Sequence, residues 1–235
     1  MLLDEQAKIL LELLQLYYPN GAKVIDLTFG KGKFWSEVFA NPALQAKYPV
    51  TACDASPDPN AIGDVLAVKK NLFTDDYENI GLHDCALYDP PYLVQRASFD
   101  YGDASSRSWA ASDLEKFTSN KSVELFNYRV ECLKQKAHTF LKPHGLLLVK
   151  VLDPRVDGKL IPHHLNTANI LSDTFELIDI GVYIRLGAST WKIRGNLHNL
   201  HGYWMTFRFR DRTECFASQR ENGSNFEHIR LPNQR

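Results

Sequence analysis

The segment KVIDLTFGKGKF, residues 23–34, decides the fold more directly than any other stretch of this sequence. Its apolar run contains Asp26, and two glycines, Gly30 and Gly32, follow before a second segment of helical character. A short apolar run bounded by turn residues predicts a buried strand, and the glycines allow a tight turn with close backbone approach to a ligand. The next helix would offer free N–H groups at its N-terminus. A glycine pair also occurs in turns that bind nothing, so this motif alone leaves both interpretations open.

Strand and helix patterns alternate along the rest of the chain. Strands are predicted at 23–29, 49–55, 65–68, 84–89, 145–153, 175–186 and 202–210. Helices are predicted at 3–17, 34–40, 113–141 and 162–171. This alternation predicts an α/β fold with about seven strands, a mostly parallel sheet, an antiparallel pair at one edge and helices on both faces. In such sheets, ligands bind beyond the carboxyl ends of the strands, which directs attention to 26–35, 54–58, 89–112 and 150–158.

Composition restricts the class of protein. The chain has 235 residues, of which 44% are hydrophobic and 23% charged, which predicts one domain over 1–210 and a polar tail over 211–235. The net charge of −1 gives no global attraction to nucleic acid, so a polyanion must meet a local basic patch. The four cysteines lack metal-ligand spacing, so we expect no metal site and a reducing, cytoplasmic setting. The acidic residues of the first helix exclude a signal peptide or a membrane span there.

Asp54 closes the second predicted strand, in the segment ACDAS. An acidic residue at this place can accept hydrogen bonds from both hydroxyls of a ribose. The alternative is an aspartate that caps the following turn. The spacing of 28 residues from Asp26 is somewhat longer than a dinucleotide-binding pattern requires.

The segment YDPPY, residues 88–92, ends the fourth predicted strand. Two prolines cannot extend a strand, because neither has an N–H to donate. Asp89 and the carbonyl of Pro90 can accept both hydrogens of an amine conjugated to a ring, which localises the nitrogen lone pair. Tyr92 can stack on that ring. The alternative is a proline-rich strand exit in which Asp89 caps a turn.

Taken in order, these motifs resemble the class I S-adenosylmethionine-dependent methyltransferases, and more narrowly the amino methyltransferases that make N6-methyladenine or N4-methylcytosine. The resemblance covers about 1–210 and implies a Rossmann-like methyltransferase fold. It implies a catalytic tip formed by Asp89, Pro90, Pro91 and Tyr92. It also implies that S-adenosylmethionine is held by Asp26, Thr28, Phe29, Gly30, Lys31, Gly32, Asp54, Ala55 and Asp64.

The sequence departs from that family at two places. Relatives usually carry Asp-Pro-Phe before the glycines, where this chain has Asp26-Leu27-Thr28. Relatives often have an acidic residue near position 68, where this chain has Val68 and an earlier Asp64.

The expected partner is nucleic acid, with DNA favoured over RNA and no membrane. The segment 182–210 carries five Lys or Arg residues and no acid, which suits a polyanion. Substrate contacts are predicted for Arg96, Tyr101, Arg107, Trp109, Lys150, Lys192 and Arg194. A base inside a duplex must be flipped out to reach Asp89. The alternative for the basic segment is a solvated loop and edge strand, and for Lys150 a strand-end lysine that reaches into solvent.

Other functions stay open at this point. The same chemistry can act on RNA, where unpaired bases need no flipping, or on the amide of a protein glutamine, although those enzymes usually have Asn-Pro-Pro-Tyr. A non-catalytic nucleic-acid-binding partner subunit would keep the fold. A nucleotide-dependent dehydrogenase would normally continue to a third glycine or alanine, and here that position is Trp35.

Overall fold

The computed structural model describes residues 2–65, 67–90, 121–156, 159–184 and 201–210. Its helices are α1 Leu2–Tyr17, α2 Ser36–Phe39, α3 Pro42–Lys47, α4 Lys121–Phe140 and α5 His163–Leu171. Its strands are β1 Val24–Asp26, β2 Val50–Asp54, β3 Val68–Lys69, β4 His83–Tyr88, β5 Leu141–Val151, β6 Arg155–Val156, β7 Lys159–Leu160, β8 Phe175–Ile184 and β9 His201–Phe209. Single 3-10 turns cover Lys33–Trp35, Ile62–Asp64 and Glu78–Ile80.

Seven strands form one sheet in the order β3-β2-β1-β4-β5-β9-β8, and β6 and β7 form a separate small hairpin. The strands from β3 to β5 pair in parallel, whereas β9 runs antiparallel to both β5 and β8. The strand order reverses between β1 and β4, and a crevice at that switch point is where α/β sheets hold their ligands. The predicted mostly parallel sheet with an antiparallel edge is confirmed.

Each face of the sheet is covered by its own helices because successive strand residues point to opposite faces. In β4, Ala86 and Tyr88 belong to the core that packs under α4 and α5. Cys85 and Leu87 belong to the second core, which α1 and the 3-10 turn with α2 cover. The apolar periodicity of α1 is thus explained, since Leu10 and Leu14 are fully buried in that second core.

The first strand is shorter than predicted. It ends at Asp26 because the chain turns there: the Thr28 N–H donates to the Asp26 carboxylate at 2.9 Å, and the Leu27 N–H donates to Leu87 O at 3.0 Å. The third strand covers 68–69 rather than 65–68, since residues just before it form the 3-10 turn Ile62–Asp64. Helix α3 was not predicted, although Asn41 caps it with hydrogen bonds to the backbone of Ala43 and Leu44.

The remaining elements lie close to their predicted places. Strand β5 begins at Leu141, four residues earlier than predicted, because α4 passes directly into it. Helix α4 accounts for the part of the predicted helix 113–141 that falls within the described residues. Among the helices described, none combines the length and the apolarity that crossing a bilayer requires.

Candidate active site

The turn after β1 is drawn onto the carboxyl end of β2. The Phe29 N–H donates to Cys53 O at 3.0 Å, and the Gly30 N–H donates to Asp54 Oδ2 at 2.8 Å. Gly30 and Gly32 both have positive φ, at 52° and 71°. A Cβ on Gly32 would lie 2.6 Å from the Phe29 ring, so glycine is required there by space as well as by conformation.

Asp26 holds this turn from inside. Its side chain is fully buried, and its carboxylate accepts the Trp35 indole N–H at 2.7 Å and the Thr28 N–H at 2.9 Å. Burial raises the pKa of Asp26 to about 7, although both hydrogen bonds act in the opposite direction. The residue therefore organises the turn that a ligand would meet.

Asp54 lies half-buried at the end of β2, where the sequence places a ribose acceptor. Its Oδ1 accepts the Ser56 N–H at 2.8 Å, and its Oδ2 accepts the Gly30 N–H. Burial raises the pKa of Asp54, and the two backbone donors partly offset that effect. Each carboxylate oxygen has a second lone pair, so the group can still accept hydroxyls from a ligand.

A second connection joins the glycine turn to the chain after β2. Lys31 lies 3.9 Å from the Asp58 carboxylate, and its carbonyl accepts the Ile62 N–H at 3.0 Å. Ile62 begins the 3-10 turn that contains the backbone of Asp64. The predicted cofactor segments around 30 and 64 are therefore adjacent in space.

The tip of β4 is bound to the glycine turn on one side and to β5 on the other. The Asp89 N–H donates to Thr28 Oγ1 at 2.8 Å. The Asp89 carboxylate forms an ion pair with Lys150 at 3.2 Å, and the two side chains are only 19% and 12% exposed. The Lys150 ammonium also lies 4.9 Å from the centre of the Phe34 ring. Pro90 is buried.

The structure brings together many of the residues that the sequence predicts. At or beside the carboxyl ends of β1, β2, β4 and β5 lie Asp26, Thr28, Phe29, Gly30, Lys31, Gly32, Asp54, Ala55, Asp89, Pro90 and Lys150. The Phe29 ring packs inward near Phe39, with 6.3 Å between ring centres, so only its backbone faces the turn. Outside the described residues lie Pro91, Tyr92, Arg96, Tyr101, Arg107, Trp109, Lys192 and Arg194.

The structure adds detail to two of the sequence interpretations. Lys150 is predicted to contact the substrate backbone, which stays a prediction, and in the structure its ammonium contacts Asp89. Of the basic residues in 182–210, Arg185, Lys192 and Arg194 lie outside the described residues. Strand β9 starts at the carboxyl end of β5 and runs away from it, so Arg208 lies at the opposite edge of the sheet. There its guanidinium pairs with Glu176 at 3.1 Å. Strand direction, which the sequence alone leaves open, decides the place of Arg208.

The sequence did not predict several contacts around the site. Trp35 was noted only as the absence of a third glycine, yet its indole anchors Asp26. The link between Thr28 and Asp89 joins positions 61 residues apart and has no local signal. Asp153, His164, Tyr203 and His201 form a polar cluster at the same edge, and only their positions at element ends could have indicated it.

No protein-family model matches the chain, and no curated protein matches its sequence. Solved structures do match. N-methyltransferase NodS from Bradyrhizobium japonicum WM9, in complex with S-adenosyl-l-homocysteine, has a TM-score of 0.50 at 10% identity, over 88% of this chain and 87% of that one. The chain has the Rossmann-like methyltransferase fold. The fold prediction is thereby confirmed.

Two further solved structures have the same level of similarity. Burkholderia thailandensis 1,6-didemethyltoxoflavin-N1-methyltransferase, with 1,6-didemethyltoxoflavin and S-adenosylhomocysteine bound, has a TM-score of 0.50 at 17% identity, over 90% of this chain and 79% of that one. TrmN from Thermus thermophilus has a TM-score of 0.50 at 14% identity, over 84% of this chain and 47% of that one. At sequence identities this low, the structural similarity shows a shared fold and nothing further.

Proposed function

We propose that the protein is an S-adenosylmethionine-dependent methyltransferase that methylates an exocyclic amino group of a nucleic-acid base, adenine N6 or cytosine N4 in DNA. The observation that carries this proposal is the hydrogen bond from the Asp89 N–H to Thr28 Oγ1. It attaches an acceptor tip of the sequence Asp-Pro-Pro-Tyr to the glycine turn of a methyltransferase fold. The two halves of a methyl-transfer site are thus held by one contact.

The glycine turn fits the cofactor. Two of the matching methyltransferase structures contain S-adenosylhomocysteine. If Gly30 carried a Cβ atom, that atom would have only Thr28 O within 4.0 Å among the described residues. The space beside Gly30 is therefore open. The backbone of Gly30, Lys31 and Gly32 would hold the amino-acid half, and Asp54 the ribose. When bound, the cofactor supplies an electrophilic methyl group.

Asp89 and Pro90 would hold the acceptor amine. A conjugated amine is a poor nucleophile because its lone pair is delocalised into the ring. Hydrogen bonds to the Asp89 carboxylate and the Pro90 carbonyl favour a pyramidal nitrogen with a localised lone pair, in a site that is already organised before substrate arrives. The transfer replaces one amine hydrogen with the methyl group and releases one proton.

Lys150 would keep the Asp89 carboxylate in position. Its ammonium is 3.4 Å from Oδ1 and 3.2 Å from Oδ2, so it contacts both oxygens of the carboxylate. Tyr92 follows directly in sequence, and we infer that its ring stacks on the target base.

Nucleoside mass spectrometry tests the proposal. The protein and its Asp89→Ala variant are expressed in cells that lack background amino-methylation, and the DNA and RNA pools are digested separately. We expect N6-methyladenine or N4-methylcytosine in DNA with the wild type and none with the variant. A modified base found only in RNA would instead support methylation of RNA. If neither pool contains a modified base, the result would favour a non-catalytic partner subunit.

A further inference from the structure

We propose that Asp153, His164, Tyr203 and His201 form a site that binds a backbone phosphate of the nucleic-acid substrate, through Nε2–H of His164. This inference rests on the proposed function, because it assumes a nucleic-acid substrate at the catalytic edge. We call these four residues the His164 cluster.

The His164 cluster lies at the same edge of the sheet as Asp89. In the strand register, Tyr88 is opposite Val149, and Val151 is opposite Tyr203. Asp153 follows the end of β5, and His201 begins β9. With strands about 4.8 Å apart and residues about 3.3 Å apart, the Tyr203 backbone is roughly 10 Å from that of Asp89. That distance suits a nucleotide that flanks the target base.

A buried carboxylate organises the cluster. Asp153 is 3% exposed and accepts the His164 backbone N–H at 3.1 Å and its Nδ1–H at 2.5 Å. Burial raises the pKa of Tyr203, and the nearby Asp153 carboxylate raises it further. The Tyr203 oxygen lies 2.9 Å from His201 Nε2, and the Tyr203 ring stacks on His164 with 4.2 Å between ring centres. The His164 ring is therefore fixed by both a hydrogen bond and a stacking partner.

The second ring nitrogen of His164, Nε2, indicates which kind of ligand this cluster could bind. Nδ1 is committed to Asp153, and no hydrogen bond within the described residues uses Nε2. The His164 side chain is 20% exposed, so solvent reaches it. Since Nδ1–H points to Asp153, an anion that brings a proton to Nε2 would meet a charge-assisted donor, which suits a phosphate oxygen. His164 is also in the first turn of α5, where the helix dipole favours an anion.

The neighbouring titratable groups are few in the described part of the chain. Asp153 faces His164 from the segment after β5, and Tyr203 faces it from β9 with His201 behind. His163, on the same helix, is buried and stacks on Phe126 instead, at 3.8 Å between ring centres. Within the described residues, Asp153 is thus the carboxylate that contacts His164.

Two other roles fit the cluster less well. Lys150 and Trp204 are opposite each other on the sheet face that packs under α1, whereas Val151 and Tyr203 are on the opposite face. The His164 cluster therefore lies on the other face from the pair of Asp89 and Lys150, which argues against direct proton transfer from the target amine. No group of metal-ligating side chains able to hold an ion occurs within the described ranges.

The test measures binding of a fluorescent single-stranded DNA oligonucleotide at pH 6, across a salt series, with S-adenosylhomocysteine present. The primary variant is His164→Asn, whose amide can still donate to Asp153 while the Nε2 position is lost. Each phosphate contact on a single strand contributes about 0.7 to the slope of log affinity against log salt. We expect His164→Asn to lower that slope by about 0.7 and the affinity several-fold.

His138→Ala is the matched control, because His138 is exposed in the last turn of α4, at the opposite edge of the sheet. It should leave the slope unchanged. If His164→Asn does not fold, His164→Ala replaces it, and thermal melting checks both. An unchanged slope in a folded His164 variant overturns this inference and leaves the methyltransferase proposal intact. A wild type that binds no oligonucleotide but gives methylated DNA in cells also overturns only this inference, whereas absence of both overturns the two together.

Discussion

The ammonium of Lys150 lies 3.2 Å from Oδ2 of Asp89, and this ion pair joins the carboxyl ends of β5 and β4 at the centre of the sheet. The same two strands carry a second ion pair at their other ends, between Lys142 and Asp84 at 2.6 Å. The inner pair is much less exposed than the outer one, at 12% and 19% against 48% and 32%. The exposed pair of Lys142 and Asp84 can therefore serve as a control for substitutions in the pair of Lys150 and Asp89.

Replacing Lys150 with methionine should slow methyl transfer while S-adenosylhomocysteine still binds. The Asp89 carboxylate would lose its positioning partner, and removal of one preorganised group of this kind costs roughly 10²-fold to 10³-fold in rate. Single-turnover methylation and calorimetric titration measure the two effects separately. Lys142→Met is the matched variant and should leave the rate unchanged. Equal rates for wild type and Lys150→Met would contradict the positioning role.

Asp54→Asn should weaken cofactor binding. Hydrogen bonds to charged groups contribute about 1.5–3 kcal/mol, so loss of the charge that meets the ribose corresponds to roughly 10-fold to 100-fold in affinity. Isothermal titration with S-adenosylhomocysteine measures it. Asp84→Asn removes a carboxylate at the other end of β4 and should have no effect on affinity. If both variants bind like the wild type, Asp54 is only a cap for the turn.

Gly30 and Gly32 should respond differently to alanine. Both need positive φ, which costs about 1 kcal/mol for a non-glycine residue. At Gly32 the new Cβ also meets the Phe29 ring at 2.6 Å, so we expect a larger loss of unfolding free energy there than at Gly30. At Gly30 the methyl enters the open space proposed for the cofactor, so binding should suffer more than stability. Urea unfolding and titration calorimetry check both; the reverse order would contradict this geometry.

The free energy of unfolding should depend on pH because Asp26 has different pKa values in the folded and unfolded states. Burial raises the pKa of this group from 3.8 to about 7, so the folded state retains a proton that the unfolded state has released. Stability supplied by that proton is fully present below about pH 4 and is lost as pH rises to about 7.

Urea unfolding of the wild type and Asp26→Asn across pH 4–8 isolates this contribution. We expect the wild type to lose stability relative to the variant as pH increases over that range, and the difference to level off above about pH 7. A pH-independent difference between the two proteins would show that the pKa of Asp26 is not raised in the folded state.

Much of the fold could be predicted because its signals are local. The alternating apolar segments and the glycines after Asp26 indicated the sheet and its ligand edge, and the order β3-β2-β1-β4-β5-β9-β8 agrees with that interpretation. Strand ends were less certain because side chains decide them: Asp26 turns the chain by accepting the Thr28 N–H. Asn41 followed by Pro42 is a start signal for helix α3, and apolar periodicity does not contain it.

Candidate site residues could be predicted from the sequence where the type of residue by itself indicates a chemical role. Asp54 and Asp89 both lie at carboxyl ends of strands, as their positions after apolar runs indicated. The contacts of Lys150 and of the His164 cluster were not predictable, since they depend on strand register and on which face each side chain takes. The place of Arg208 could not be predicted for the same reason. Strand β9 runs antiparallel to β5, so Tyr203 lies near the site whereas Arg208 lies at the other edge of the sheet.

Transfer of a labelled methyl group would show amine methylation of DNA without an intermediate step of inference. Purified protein is incubated with S-adenosylmethionine carrying a trideuterated methyl group and with unmethylated DNA, and the digested nucleosides are analysed by mass spectrometry. We expect the label on adenine N6 or cytosine N4, its loss in Asp89→Ala and its retention in Asp84→Ala. Label that persists in Asp89→Ala, or that appears only on a ribose oxygen or on protein, would contradict the proposed function.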